Sequence, residues 1–225
     1  MSTSLEAPPE SSSGRRRLQL LVVVGLIVAL VVGFTWASHQ RRDDEWSHGG
    51  DKVKVGARIE VTDAAGFGDA LDAAGGTRNG AIVGVQQGFV VNVTWTGPRE
   101  AGGYYQFVLL DDRVAPARPV RPGSGSAGGE RVTLGWDGRY EVLHQRYPWL
   151  AATAARQLPD GSSTDSTEAL GVPAKDRGSA TLAFYDLEDA NPVTDPAHDL
   201  ELAMFLVDSG GEVRWARKIP LAAAG

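Results

Sequence analysis

Residues 89–95 read FVVNVTW. Phe89, Val91, Val93 and Trp95 fall on one face of an extended chain; Val90, Asn92 and Thr94 fall on the other. A period of two marks a strand with one buried face. The pattern recurs on both sides. Upstream, Val53, Val55, Ile59 and Val61 alternate with polar residues around Gly56. Residues 81–85 form a short run that Gln86-Gln87-Gly88 would join to the 89–95 strand as a three-residue hairpin loop. Downstream, residues 104–110 set Tyr105, Phe107 and Leu109 against Tyr104, Gln106, Val108 and Leu110. Residues 132–136 and 139–144 flank Asp137-Gly138, a pair that favours a type I′ turn because glycine accepts positive φ and aspartate tolerates it. Ala180, Leu182 and Phe184 alternate, and residues 200–207, LELAMFLV, are nearly continuously apolar, as in a strand covered on both faces. After Asp208-Ser209-Gly210-Gly211, Val213, Trp215 and Ile219 point inward while Arg214, Ala216 and Lys218 point outward. Arg217 interrupts the inward side.

A few segments depart from this pattern. Phe67, Ala70, Leu71 and Ala74 share one face of a short helix that Gly75-Gly76 ends. Pro148 opens a helix running through Leu158, as its first residue. Asp165 and Glu168 have capping-box spacing for one helical turn. Residues 111–130, rich in proline and glycine, read as a long loop. About eight or nine short strands without regular βαβ alternation predict a mainly β chain: an antiparallel β-sandwich, in its most economical version immunoglobulin-like.

Ahead of the β region lies LQLLVVVGLIVALVVGF, residues 18–34, with no charged side chain. Extended to Ala37 it has the length of about 20 residues that a membrane-crossing helix needs. Backbone groups in lipid must be satisfied internally, which outweighs the small helix penalty of its valines. Trp36 stands where an amphipathic ring meets the lipid–water interface. Arg15, Arg16 and Arg17 precede the segment; Arg41 and Arg42 follow it. Counting basic residues, that contrast places the short tail inside and the rest of the chain outside. A cleaved signal peptide, cut ahead of Ser38, is the alternative, but the apolar run exceeds the usual signal core. Gly25, Ala29 and Gly33 form a small-residue stripe, read here as ordinary membrane-helix composition. The expected organisation is a disordered cytoplasmic tail at 1–17, a single transmembrane helix at 18–37, a stalk at 38–52 loosened by Gly49-Gly50, and an extracytoplasmic domain at 53–225.

The chain carries −6 overall, and the tail's three arginines against Glu6 and Glu10 leave the remainder at −7. That argues against nucleic acid and against recruitment to anionic lipid by charge. With no cysteine, disulfides, thiolate catalysis and a lipobox are excluded. The excess of arginine over lysine, with abundant alanine and glycine, resembles a high-GC bacterial protein.

No catalytic, nucleotide-binding or metal motif emerges, and no cofactor is implied. His39 and His48 sit in the stalk; His144 ends an expected strand; His198 adjoins Asp199. The loop at 186–199, with Asp186, Glu188, Asp189, Asn191, Asp195 and Asp199, is the richest carboxylate segment and the best calcium candidate, although it lacks the glycine-centred calcium pattern. A solvated acidic turn is the simpler reading. Residues 160–165 have only the outline of a calcium loop, with Ser162 and Thr164 at two ligand positions. Gly123-Ser124-Gly125-Ser126 reads as linker rather than a nucleophile elbow. Asp111-Asp112 points its carboxylates to opposite strand faces, unlike a glycosidase pair. Most of the aromatics Trp95, Tyr104, Tyr105, Trp136, Tyr140, Tyr147 and Trp149 alternate with apolar residues and read as core or hairpin pairs, with Tyr140 and Tyr147 the ones to test as exposed. The expected role is non-catalytic binding or accessory work in the bacterial cell envelope, with the bilayer contacted through 18–37 and an envelope protein or glycan as partner. The alternatives are an envelope hydrolase or glycan-modifying enzyme, and a calcium-stabilised adhesion-like module.

Overall fold

The computed structural model describes residues 12–73, 85–98, 102–114, 117–123, 129–134, 143, 146–149, 154–157, 163–186 and 192–224. The chain divides into two compact units, Met1–Asp44 and Glu45–Gly225.

The first unit is occupied by helix α1, Ser12–His48, which runs on into the second unit by its last residues. Leu21–Glu45 is long and apolar enough to cross a membrane, and none of it is buried within the protein. Its leucines, valines and isoleucine are exposed, and nothing lies near Gly25 or Gly33. Thr35 Oγ1 donates to the Val32 carbonyl at 2.9 Å and Ser38 Oγ to the Thr35 carbonyl at 2.8 Å. Both hydroxyls are therefore satisfied inside the helix.

The second unit is a two-sheet β-sandwich, so the mainly β reading with an N-terminal apolar helix holds. Its strands are β1 (Lys54–Thr62), β2 (Gln87–Thr96), β3 (Tyr104–Asp111), β4 (Arg118–Pro119), β5 (Arg121–Pro122), β6 (Glu130–Leu134), β7 (Ala154–Gln157), β8 (Ser163–Pro173), β9 (Arg177–Asp186), β10 (Leu200–Val207), β11 (Val213–Pro220) and β12 (Ala222–Ala223). Sheet I has the order β12-β1-β2-β9-β5; sheet II has the order β11-β10-β3-β8-β6, with β4 added to β3 and β7 to β8. Every ladder is antiparallel except β1 with β12. The immunoglobulin-like version is not established by this order.

The inward faces follow the alternation. Ile59, Phe89, Val91, Val93, Trp95, Leu182 and Phe184 of sheet I meet Tyr105, Phe107, Leu109, Leu202, Met204 and Trp215 of sheet II. β10 and β3 are apolar on both faces because sheet II has a second layer outside it. There Val108, Leu110, Ala203 and Phe205 pack with Leu143 and Tyr147. Sheet I is covered over part of its outer face by helix α2, Ala64–Ala73, through fully buried Phe67 and Leu71. Asp63 opens that helix by accepting the Gly66 N–H at 2.9 Å.

Several local expectations give way to strand pairing. Both edges of β2 are taken by β1 and β9, so no hairpin partner runs along 89–95, and Gln87-Gly88 belongs to the strand itself; residues 81–84 lie outside the described set. The helix expected from Pro148 through Leu158 is replaced by β7, which pairs with residues 163–166 of β8. The capping box at Asp165 and Glu168 likewise lies within β8. Helix propensities of a few tenths of a kcal/mol per residue do not outweigh the backbone hydrogen bonds of a continuous ladder. The stretch at 111–130 is not merely a loop. β4 extends sheet II, β5 extends sheet I, and buried Val120 between them donates its N–H to the Leu109 carbonyl at 2.8 Å. The Asp137-Gly138 turn and the Gly75-Gly76 stop lie outside the described residues.

The joint before β1 is also tighter than a loosened stalk. A Cβ on Gly49 would lie 2.6 Å from the Trp215 ring, and one on Gly50 3.0 Å from Arg217 Cδ. The glycines thus provide close approach rather than slack. Arg217, the odd cation on the inward side, donates to the carbonyls of Gly50 at 2.7 Å and Val53 at 2.9 Å. Glu45 receives Arg214 at 2.7 Å.

Trp95 sits at the seam between the sheets, 5.7 Å from the Tyr105 ring and 6.2 Å from Phe107, centroid to centroid. Its partner in the ladder is Gly178, where a Cβ would come 2.3 Å from the indole. Gly178→Ala should therefore displace the ring and lower stability by about 2 kcal/mol; chemical denaturation of the variant against the parent checks this.

Candidate functional site

One end of the sandwich carries the carboxylates singled out in the sequence. Asp111 ends β3, is 2% exposed, and accepts Arg113 Nε and Nη2, each at 2.9 Å, and Arg118 Nη2 at 3.2 Å. Arg118 also reaches Asp186 at 3.0 Å, at the end of β9. A single guanidinium on the crossing segment therefore ties sheet II to sheet I. Burial alone would raise the Asp111 carboxyl; the Arg113 side-chain and backbone donors and the charges of Arg113 and Arg118 outweigh it and hold the group below its ordinary value. Asp112 faces away and binds Lys218 at 3.3 Å, so the adjacent pair does not cooperate. Lys218 also pairs with Glu201 and lies 5.8 Å from the Trp149 ring. Burial lowers its pKa, but the two carboxylates more than reverse that.

The acidic 186–199 loop is anchored rather than open at both described ends. Val193 is buried, and the Gln87 side-chain amide clamps its backbone by donating to its carbonyl at 2.8 Å and accepting its N–H at 2.9 Å. Asp186 is engaged by Arg118. Asp199 lies in the short helix α3, Pro196–Asp199, 3.3 Å from the exposed His198. Among the described residues no group of three His, Asp or Glu side chains is arranged to hold a metal; residues 187–191 lie outside them. His48 is exposed beside Asp51, in a different part of the domain, and His39 is on α1. His144, Tyr140, Trp136, Ser124–Ser126 and the start of the 160–165 run fall outside the described residues.

Tyr147 is buried, which corrects its expected exposure. Its phenol accepts the Ala216 N–H at 3.0 Å on β11 and packs edge-on against Phe205. Burial pushes its pKa up to about 12, against smaller lowering by the Ala216 N–H and the Arg146 charge, so it remains a neutral acceptor. Large exposed apolar side chains among the described residues of this unit are Tyr104, at the start of β3, and Val114, past its end. They do not form a patch.

The described surface offers a polar feature instead. Beyond the cover of α2, the outer face of sheet I presents three complete rows across β1, β2 and β9. They are Lys54–Thr96–Arg177, Gly56–Thr94–Ser179 and Arg58–Asn92–Thr181. Eight of the nine positions are exposed and Thr181 is half-buried. Thr181 Oγ1 donates to Asn92 Oδ1 at 2.8 Å, which orients the amide. No carboxylate and no large apolar side chain stands in the array. The alternation of Asn92 and Thr94 was legible in the sequence. The rows were not, because a register that pairs Asn92 with residues 34 positions before it and 89 after it is a tertiary fact.

No family model matches the chain. No curated protein matches it in sequence. Among solved structures, a domain of the outer membrane lipoprotein Omp28 from Porphyromonas gingivalis is similar over 77% of this chain and 91% of that chain, at 14% identity and a TM-score of 0.31. At that score nothing is transferred from it.

Two outcomes follow from the ionic end and the capped edge. Asp111 has a depressed folded pKa, so its stabilisation is present above the unfolded carboxylate range and lost as pH falls through the folded value. Asp111→Asn should cost about 2 kcal/mol at pH 7. In thermal melts the gap to the parent should close as pH drops below the carboxylate range; a pH-independent gap would remove the ionic account. Tyr147→Phe strands the Ala216 N–H and should cost about 1 kcal/mol, read from urea unfolding.

Proposed function

We propose that the chain is a single-pass protein of the bacterial cell envelope, anchored by residues 18–37, with its β-sandwich held on the extracytoplasmic side as a non-catalytic binding or accessory module. The observation that carries this reading is the exposed apolar span Leu21–Glu45 joined to a folded domain. Orientation rests on the three arginines before the span against two after it. The absence of ionisable residues from 18–34 fits an anchor rather than an ion path. The described histidines and the Asp111–Asp112 pair are dispersed or committed to arginine and lysine, which supports binding over hydrolysis. The open polar face of sheet I is the surface on which binding would occur.

The reading is tested on cells carrying a C-terminal tag. The tagged chain should stay in the membrane after alkaline carbonate, keep the mass of the full chain, and lose its domain to protease added to spheroplasts. A carbonate-soluble product beginning at Ser38 would establish cleavage instead, and a protease-resistant domain in intact spheroplasts would reverse the orientation.

A further inference from the structure

We infer that the nine-position face of sheet I is a binding surface for an anionic polysaccharide of the envelope. This rests on the extracytoplasmic binding reading and names the partner's chemistry.

The first argument is charge. The portion of the chain beyond the tail carries −7, yet the face holds Lys54, Arg58 and Arg177 and no carboxylate. Several other described cations are paired with carboxylates: Arg113 and Arg118 with Asp111, Arg131 with Glu168, Arg214 with Glu45, Lys218 with Asp112 and Glu201. The guanidinium of Arg58, the ammonium of Lys54 and the guanidinium of Arg177 have no carboxylate within salt-bridge distance among the described residues. The neighbouring acids are Glu60, next along β1, and Asp51 and Asp176 in the adjoining loops. Asp176 is turned to the Arg177 backbone N–H at 3.0 Å. Lys52 and Lys175, in the same loops, add to the positive border.

The second argument is shape and donor chemistry. Four residues along β1 separate Lys54 from Arg58, about 13 Å, and two strand spacings separate Lys54 from Arg177, about 10 Å. The cations are thus spread over a flat surface rather than gathered around one phosphate-sized point. Between them stand hydroxyls and an amide, from Thr94, Thr96, Ser179, Thr181 and Asn92, which can pair with sugar hydroxyls. Gly56 leaves a level floor in the central row. An extended chain bearing repeated negative charges and many hydroxyls fits this pattern. A nucleic acid would call for aromatic stacking platforms and a basic domain, and a bilayer surface for an apolar side chain to insert; the face has neither.

The test uses the purified full chain in a neutral detergent, so its result does not depend on membrane topology. Polygalacturonate is the probe, with neutral dextran and anionic phosphatidylglycerol vesicles as separate arms. Polygalacturonate should bind, dextran should not, and binding should weaken steeply with salt, because exposed charges are screened beyond about 8–10 Å near physiological ionic strength. The triple variant K54E/R58E/R177E should bind at least about tenfold more weakly. Arg121→Glu, exposed on β5 off the face, should bind as the parent does. If the triple variant melts early, Arg58→Gln alone should still weaken binding measurably. The inference is overturned if polygalacturonate does not bind at low salt, if the face variants bind like the parent, or if only the vesicles bind. Any of these results leaves the topology reading standing.

Discussion

Trp95 pressed against Gly178 is the contact on which the domain's architecture turns. The indole belongs to sheet I, yet its ring neighbours Tyr105 and Phe107 of sheet II, and its Nε1–H donates to the Lys175 carbonyl at 3.1 Å. Trp215 continues the seam from the other side of Tyr105, at 6.0 Å. Without a disulfide, the register of the two sheets depends on such interlocked rings, and on glycines at 49, 50 and 178 that let backbone approach them. Large aromatic faces beside bare Cα atoms give the dense packing from which a cysteine-free domain draws its cohesion.

At the opposite end from Glu45 the same task falls to charge. Arg118 lies between the strand ends of two sheets and holds a carboxylate of each. Aromatic packing and this ionic clasp are complementary. One tolerates changes in pH but not in volume; the other tolerates small shifts in volume but needs ionised carboxylates.

What the sequence revealed was what is local. Alternation located β1, β2, β3 and β9 through β11, and the unbroken run of β10 announced a strand with two buried faces. The short helix over Phe67 and Leu71 was visible for the same reason. Misreadings arose where a weak helical preference met strand pairing with a near neighbour, as when Ala154 and Asp165 entered the β7–β8 ladder instead of helices. Pro119 and Pro122 read as loop markers, yet each stands in a two-residue strand on a sheet margin, where a missing N–H is tolerated. The candidate face was less legible still. Its residues are individually ordinary, and they acquire meaning only from a register that pairs Asn92 with both Arg58 and Thr181.

The parallel ladder of β12 on β1 sets a temporal constraint on the molecule. Arg58 is paired with Ala222, and Ala224 donates its N–H to the Ile59 carbonyl at 2.9 Å. The outer edge of β1 therefore stays open until β12 is made, with β2 to β11 emerging between them. Contacts of such long sequence separation form slowly. While a chain made from its N-terminus is still growing, β1 and β2 have apolar faces and no finished core to bury them in, which leaves the unfinished domain open to misassociation until β12 is made.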